Sequence, residues 1–149
     1  MKRLLIATDG SRASEIAVDE GIELARELDA RVMFVFVKDR PSGLLGEPFY
    51  QRKLSQEAGN ARVAVESAME SAVDHGVEAD WEILQGEPAT EIVRLASERE
   101  ADLIIVGSRG LGGVAGTLLG SVSRAVVHDS DRPVLVARAR PRTREPVPA

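Results

Sequence analysis

At 149 residues with no cysteine, the chain reads as one domain large enough to fold without disulfides or cysteine-ligated metal. A formal net charge of −5 and 3% aromatic residues argue against a general nucleic-acid surface and against the stacking platforms of single-strand binders. The apolar run after Met1-Lys2-Arg3 is too short for a signal peptide, and no run approaches the roughly 20 residues that span a bilayer, so the expected location is cytoplasmic with no membrane contact.

Leu4-Leu5-Ile6-Ala7 is an unbroken apolar run, the pattern of a strand covered on both faces. Thr8-Asp9-Gly10-Ser11 interrupts it with residues suited to capping a helix. Ala13, Ile16, Ala17, Leu24, Ala25 and Leu28 then recur at helical spacing over 12–28. After Asp29-Ala30, the run Val32–Val37 reads as a second buried strand. A strand–helix–strand unit of this kind points to a crossover connection and a parallel sheet.

The segment from Lys38 to Tyr50 holds Pro41 and Pro48 and is expected to be a loop at the carboxyl edge of the sheet. A long helix follows from Gln51 to His75, with Leu54, Ala58, Ala61, Val65, Ala68 and Ala72 as its apolar side and Gly76 just past its end. Glu78 to Leu84 alternates Ala79, Trp81 and Ile83 with Glu78, Asp80 and Glu82, which suggests an edge strand with one solvated face. Gly86-Glu87-Pro88 opens a third helix reaching about Glu98, with Ile92, Val93, Leu95 and Ala96 turned inward.

Leu103 to Val106 is the fourth strand, residues 121–128 form a fourth helix, and Pro133 to Val136 forms a last strand. Three prolines and four arginines between Arg138 and Ala149 predict a disordered tail over 139–149, beyond a domain of residues 1–138. Alternating strands and helices give a three-layer α/β fold around a five-stranded parallel sheet.

Between the fourth strand and the fourth helix, Gly107, Gly110, Gly112, Gly113 and Gly116 place five of thirteen glycines within ten residues. A strand, a glycine-rich loop and a helix N-terminus together form an anion site, because free N–H groups and the helix dipole converge there. A Walker A loop is excluded, since the lysines are Lys2, Lys38 and Lys53 and none lies in the loop. Gly110-x-Gly112-x-x-Ala115 fits the dinucleotide fingerprint loosely. It stands late in the chain, and the next strand ends in Ala137-Arg138 rather than an acidic residue.

The better description is Gly107-x2-Gly110-x9-Gly120-Ser121. With the Leu-Ile-Ala-Thr-Asp-Gly-Ser opening, the Asp-Leu-Ile-Ile-Val-Gly-Ser-Arg-Gly centre and the Pro-Val-Leu-Val close, the chain resembles the ATP-binding branch of the universal stress protein family over nearly the whole domain. The resemblance implies a Rossmann-like sheet of order 3-2-1-4-5, homodimers, and ATP (or AMP or ADP in its place) bound in a cytoplasmic stress-response or signalling role. Mg²⁺ or Mn²⁺ would arrive with the nucleotide, held through its phosphates and water.

In that strand order the first and fourth strands are neighbours where the winding reverses, the place where open α/β sheets bind ligands. Gly107 and Gly110 are expected to let the chain pass close to ribose and phosphates, and Gly120 to return it to the helix. Ser121 and Ser123 offer hydroxyls, and the Val122 amide lies among the free N–H groups of the first turn. The plain alternative is a glycine-rich connection in which Ser121 is an N-cap. Asp9 either caps the first helix or contacts ribose, adenine or a phosphate-held metal; the resemblance favours a nucleotide contact. It also implies backbone contacts to adenine at Val37, and Ala7 and Val106 could line the apolar part of that pocket.

Arg109 is read as an exposed loop residue, and His75 and His128 as helix-end cations outside any metal-ligand set. No nucleophile–His–acid pattern and no lysine near the loop are present, so binding with at most slow hydrolysis is the simpler reading. The nine residues 111–119 are expected to form a flap over the ligand. Two alternatives stand beside this: a genuine ATPase or other ATP-using enzyme, and a chaperone-like module without nucleotide. Pro133 to Val136 is an apolar edge strand, suited to pairing across a two-fold axis in the homodimer.

Overall fold

A computed structural model describes residues 2–40, 42–108 and 119–139. The chain runs β1 (Arg3–Ala7), α1 (Arg12–Leu28), β2 (Arg31–Lys38), a short 3₁₀ turn (Gly43–Leu45), α2 (Phe49–Asp74), β3 (Ala79–Gln85), α3 (Pro88–Glu98), β4 (Leu103–Gly107), α4 (Ser121–Asp129) and β5 (Val134–Ala137). All strand pairs are parallel and the sheet order is β3-β2-β1-β4-β5. The five-stranded parallel architecture and its order are therefore those expected.

The sheet is apolar on both faces because both carry helices. On one side, Leu4, Ile6, Val32, Phe34 and Ile105 pack with α1 and with Ala68 and Ala72 of α2. On the other, Leu5, Val35, Ile104 and Val106 pack with Ile92, Leu95 and Ala96 of α3 and Val126 of α4. Central strands covered twice require continuous apolar runs, which is what Leu4–Ile6 and Ile104–Val106 provide. The registers Ile6↔Phe34 and Ile6↔Ile105 place fully enclosed side chains side by side in the middle of the sheet.

Helix ends follow local chemistry. Ser11 caps α1 by accepting the Ser14 amide. Gly76, at φ +67, follows α2, and the Val77 amide closes back on the Ala72 carbonyl at 2.9 Å. The same closure after α1 and α3 uses Asp29 (φ 51) and Glu100 (φ 53) in the left-handed region, which the sequence pattern did not announce.

Three expectations about the helices and edges change. The segment 38–50 is not all loop: it contains the 3₁₀ turn, and α2 begins at Phe49. Ala58 is exposed, and the buried stripe of α2 begins at Ala61. Trp81 is 49% exposed although Ala79 and Ile83 on the same side of β3 pack inward. Among the described residues β3 has a strand neighbour only in β2, so its outer edge is open to solvent.

Candidate functional site

The strand order reverses between β1 and β4, and the chain leaves both at the same edge of the sheet. Extending the register Ile6↔Ile105 by one residue sets Ala7 opposite Val106, while Ala7 pairs with Val35 on its other side and Val37 lies two residues further along β2. Ala7 and Val37 are half-buried, and Val106 is buried. Sequence reasoning places these residues at neighbouring strand ends, and the structure does bring them together.

Past β1, the Thr8 amide still follows the sheet, donating to the Val35 carbonyl at 2.9 Å. Asp9 is exposed, and its Oδ1 accepts the Ser11 amide at 2.8 Å. This is an Asx turn, in which a side-chain oxygen replaces a backbone acceptor. The α1 N-cap is Ser11, so Asp9 is not the capping residue. Its other carboxylate oxygen has no partner among the described residues.

Gly107 ends β4 for a reason the sequence reading missed. A Cβ there would stand 2.5 Å from the Ala13 carbonyl oxygen and 3.1 Å from the Ser14 nitrogen. The first turn of α1 thus fills the space beside Gly107, so its missing side chain admits the protein's own backbone rather than a ligand on that side.

Ser108 then gathers the far end of the loop. Its carbonyl accepts the Gly120 amide at 2.6 Å and the Ser123 hydroxyl at 3.1 Å. The start of α4 is in this way held against the end of β4. Gly120, extended at φ −65 and ψ 164, is the N-cap of α4; Ser121 is the first helical residue and does not act as the cap. Ser123 is 2% exposed, and its hydroxyl lies 3.1 Å from the Gly120 carbonyl as well. Its proton is directed inward, which differs from the expectation of a hydroxyl offered to phosphate. Ser121 and Val122 are exposed, and no side chain caps α4 among the described residues.

The neighbouring helix starts are different. The α1 amides meet Ser11, and at α3 both oxygens of the Glu87 carboxylate cap the Ala89 and Thr90 amides, with the Thr90 hydroxyl bound at 2.6 Å. Those hydrogen bonds, Thr90 foremost, lower the Glu87 pKa. α2 also lacks a side-chain cap, but its first turn closes on the Gly46 and Pro48 carbonyls. At the sheet's carboxyl edge, then, α1 and α3 carry side-chain caps, whereas α4 has none among the described residues.

Arg109, Gly110 and residues 111–118 of the expected flap lie outside the described residues, as do residues 140–149 of the expected tail. His75 and His128 are exposed, the first bonded to the Ser71 carbonyl at 2.7 Å and the second to Asp129. Among the described residues no three His, Cys, Asp or Glu side chains are grouped to hold a metal, and no helix is long and apolar enough to cross a membrane. A depression of about 520 Å³ lined by Lys2, Leu28, Asp29 and Asp102 lies at the opposite edge of the sheet, away from these elements. Sequence reasoning did not single out Ser14 or Ser108, and it named Thr8 only among possible helix caps. The Ser-x-x-Ser spacing of Ser11 and Ser14 was the available signal.

Comparison with known proteins gives a consistent picture. The sequence model of the universal stress protein family matches residues 1–138. Universal stress protein MJ0531 of Methanocaldococcus jannaschii is 37% identical over 141 residues, covering 92% of this chain and 82% of that one. Among solved structures, hypothetical protein MJ0577 of the same organism superposes with a TM-score of 0.81 at 29% identity, covering 94% of this chain and 97% of the other. A universal stress protein in complex with cAMP superposes with a TM-score of 0.71 at 30% identity, over 91% and 96% of the two chains.

Proposed function

This chain belongs to the universal stress protein family, and on that premise we propose that it binds an adenine nucleotide, ATP in the first instance, at the carboxyl edge between β1 and β4. The observation that carries the reading is the first turn of α4, drawn against β4 by the Ser108 carbonyl and without a side-chain cap among the described residues, beside two helix starts that the protein caps itself. Bare N–H groups at a helix start favour phosphate oxygens, both as donors and through the helix dipole. A relative of the same fold in complex with cAMP supports an adenine nucleotide as the ligand class.

In this arrangement Gly120, Ser121 and Val122 receive the phosphates, with Gly110 approaching from the loop. Gly107 and Ser123 fix the two ends of that loop, Ser123 through Ser108. Asp9 turns its free oxygen to ribose, adenine or a phosphate-held Mg²⁺ or Mn²⁺, because a carboxylate facing phosphate directly would be repelled. Val37 contributes backbone groups to the adenine edge, and Ala7 and Val106 its apolar wall. The protein then acts in the cytoplasm as a nucleotide-regulated stress-response module with at most slow hydrolysis, and as a homodimer joined along β5.

Mass spectrometry of nucleotide released from the purified protein, with calorimetric titration of ATP, AMP and cAMP, tests this. ATP or a related adenine nucleotide should be recovered or bound. Gly120→Val, which the extended backbone at that position accommodates, should weaken ATP binding at least about tenfold, or by roughly 1.4 kcal/mol, with little change in melting temperature. No recovered nucleotide and no binding by titration overturns the reading.

A further inference from the structure

Three buried hydroxyls sit between the Asp9 loop and the end of β4: Thr8, Ser11 and Ser14, exposed by 6%, 4% and 5%. The proton directions of Ser14 and Thr8 are fixed by count. The Ser14 hydroxyl donates to the Ser11 carbonyl at 2.9 Å, which uses its one proton. Its lone pairs therefore accept, taking the Asp9 amide at 3.2 Å and the Thr8 hydroxyl at 3.3 Å. The Ser11 hydroxyl accepts the Ser14 amide at 3.2 Å.

Asp9 is thus held at two points: its amide by Ser14 Oγ and its Oδ1 by the Ser11 amide. The first hold comes from a side chain on a rigid helix, and the second comes from the helix cap. The same Ser14 lies against β4, since a Cβ on Gly107 would be 3.1 Å from its nitrogen. One buried residue therefore abuts both halves of the site. A lone core hydroxyl needs one acceptor to be satisfied, whereas this one collects two further donors from the loop that carries Asp9.

We propose that Ser14 is a positioning residue that sets where the second Asp9 carboxylate oxygen stands relative to the end of β4. The proposal rests on the nucleotide-site reading above. Ser14 touches no ligand; it acts through Asp9. Removing its hydroxyl frees the Asp9 amide and leaves the carboxylate tethered by the Ser11 amide alone, with little change to the packed core around it.

The test is a double-mutant cycle on ATP affinity, measured by calorimetry on wild type, Ser14→Ala, Asp9→Ala and the double variant, with a melting curve for each. Ser14→Ala should weaken ATP binding about three- to tenfold, the size of one net hydrogen bond. In the Asp9→Ala background the same change should move affinity less than about twofold, which a general structural defect would not reproduce. Ser14→Cys, similar in volume with a poorer acceptor, should show the same background dependence, and it carries the cycle if Ser14→Ala does not melt cooperatively. Wild type that binds ATP while Ser14→Ala leaves affinity unchanged overturns the proposal, as does an equal loss with and without Asp9. Wild type that binds no nucleotide overturns instead the site reading beneath it.

Discussion

Gly107 and Ala13 meet so closely that a Cβ on the first would lie 2.5 Å from the carbonyl oxygen of the second. The obstacle is backbone in the first turn of α1, which cannot swing aside as the end of a flexible side chain could. Gly107→Ala should therefore separate β4 from α1 and cost about 1–3 kcal/mol, as overpacking does. Chemical denaturation of nucleotide-free protein measures this, and an unchanged midpoint would assign Gly107 to ligand approach alone.

Ser123 and Ser121 are two residues apart in α4 and should behave oppositely. The Ser123 hydroxyl is buried and bonded to the Ser108 carbonyl, so Ser123→Ala should cost about 1 kcal/mol of stability without any ligand present. Ser121 is exposed at the first helical position, and Ser121→Ala should stay within about 0.5 kcal/mol of wild type while weakening ATP binding. Paired melting and titration curves read both effects.

Glu87 caps α3 as a carboxylate, and its pKa is lowered by its hydrogen bonds from Thr90 and Ala89. A lowered pKa in the folded state means stability that is present above the unfolded-state value, about 4.3, and is lost as pH falls through the lowered one. Glu87→Gln should cost about 0.5–1 kcal/mol at pH 7, toward the low end for a cap because the group is exposed. The gap between wild type and variant should close on acidification below that value, and added salt should narrow it at neutral pH. Denaturation midpoints across a pH series give both trends.

β5 ends the sheet, with β4 on one side and no strand on the other among the described residues. Val134, Leu135 and Val136 are half-buried there, an apolar edge of the kind that pairs with a second copy. Val134→Asp or Leu135→Asp should yield folded monomer by sedimentation equilibrium. A dimer that survives both substitutions removes this edge as the interface.

The sequence by itself determined the element order, the inward faces of the central strands and the glycine spacing that marks the candidate site. These properties are local: apolar run length, helical periodicity and turn residues act within a few positions, so Leu4–Ile6, Pro88 and Gly76 state their roles where they stand. Tertiary structure decided what those residues face. Gly107 lacks a side chain because Ala13 is there, Ser123 turns inward because Ser108 is there, and Trp81 stays wet because β3 ends the sheet. The first two depend on an atom brought from far along the chain and the third on the position of β3 in the sheet, and a one-dimensional pattern carries no record of which backbone will occupy the space beside a missing Cβ.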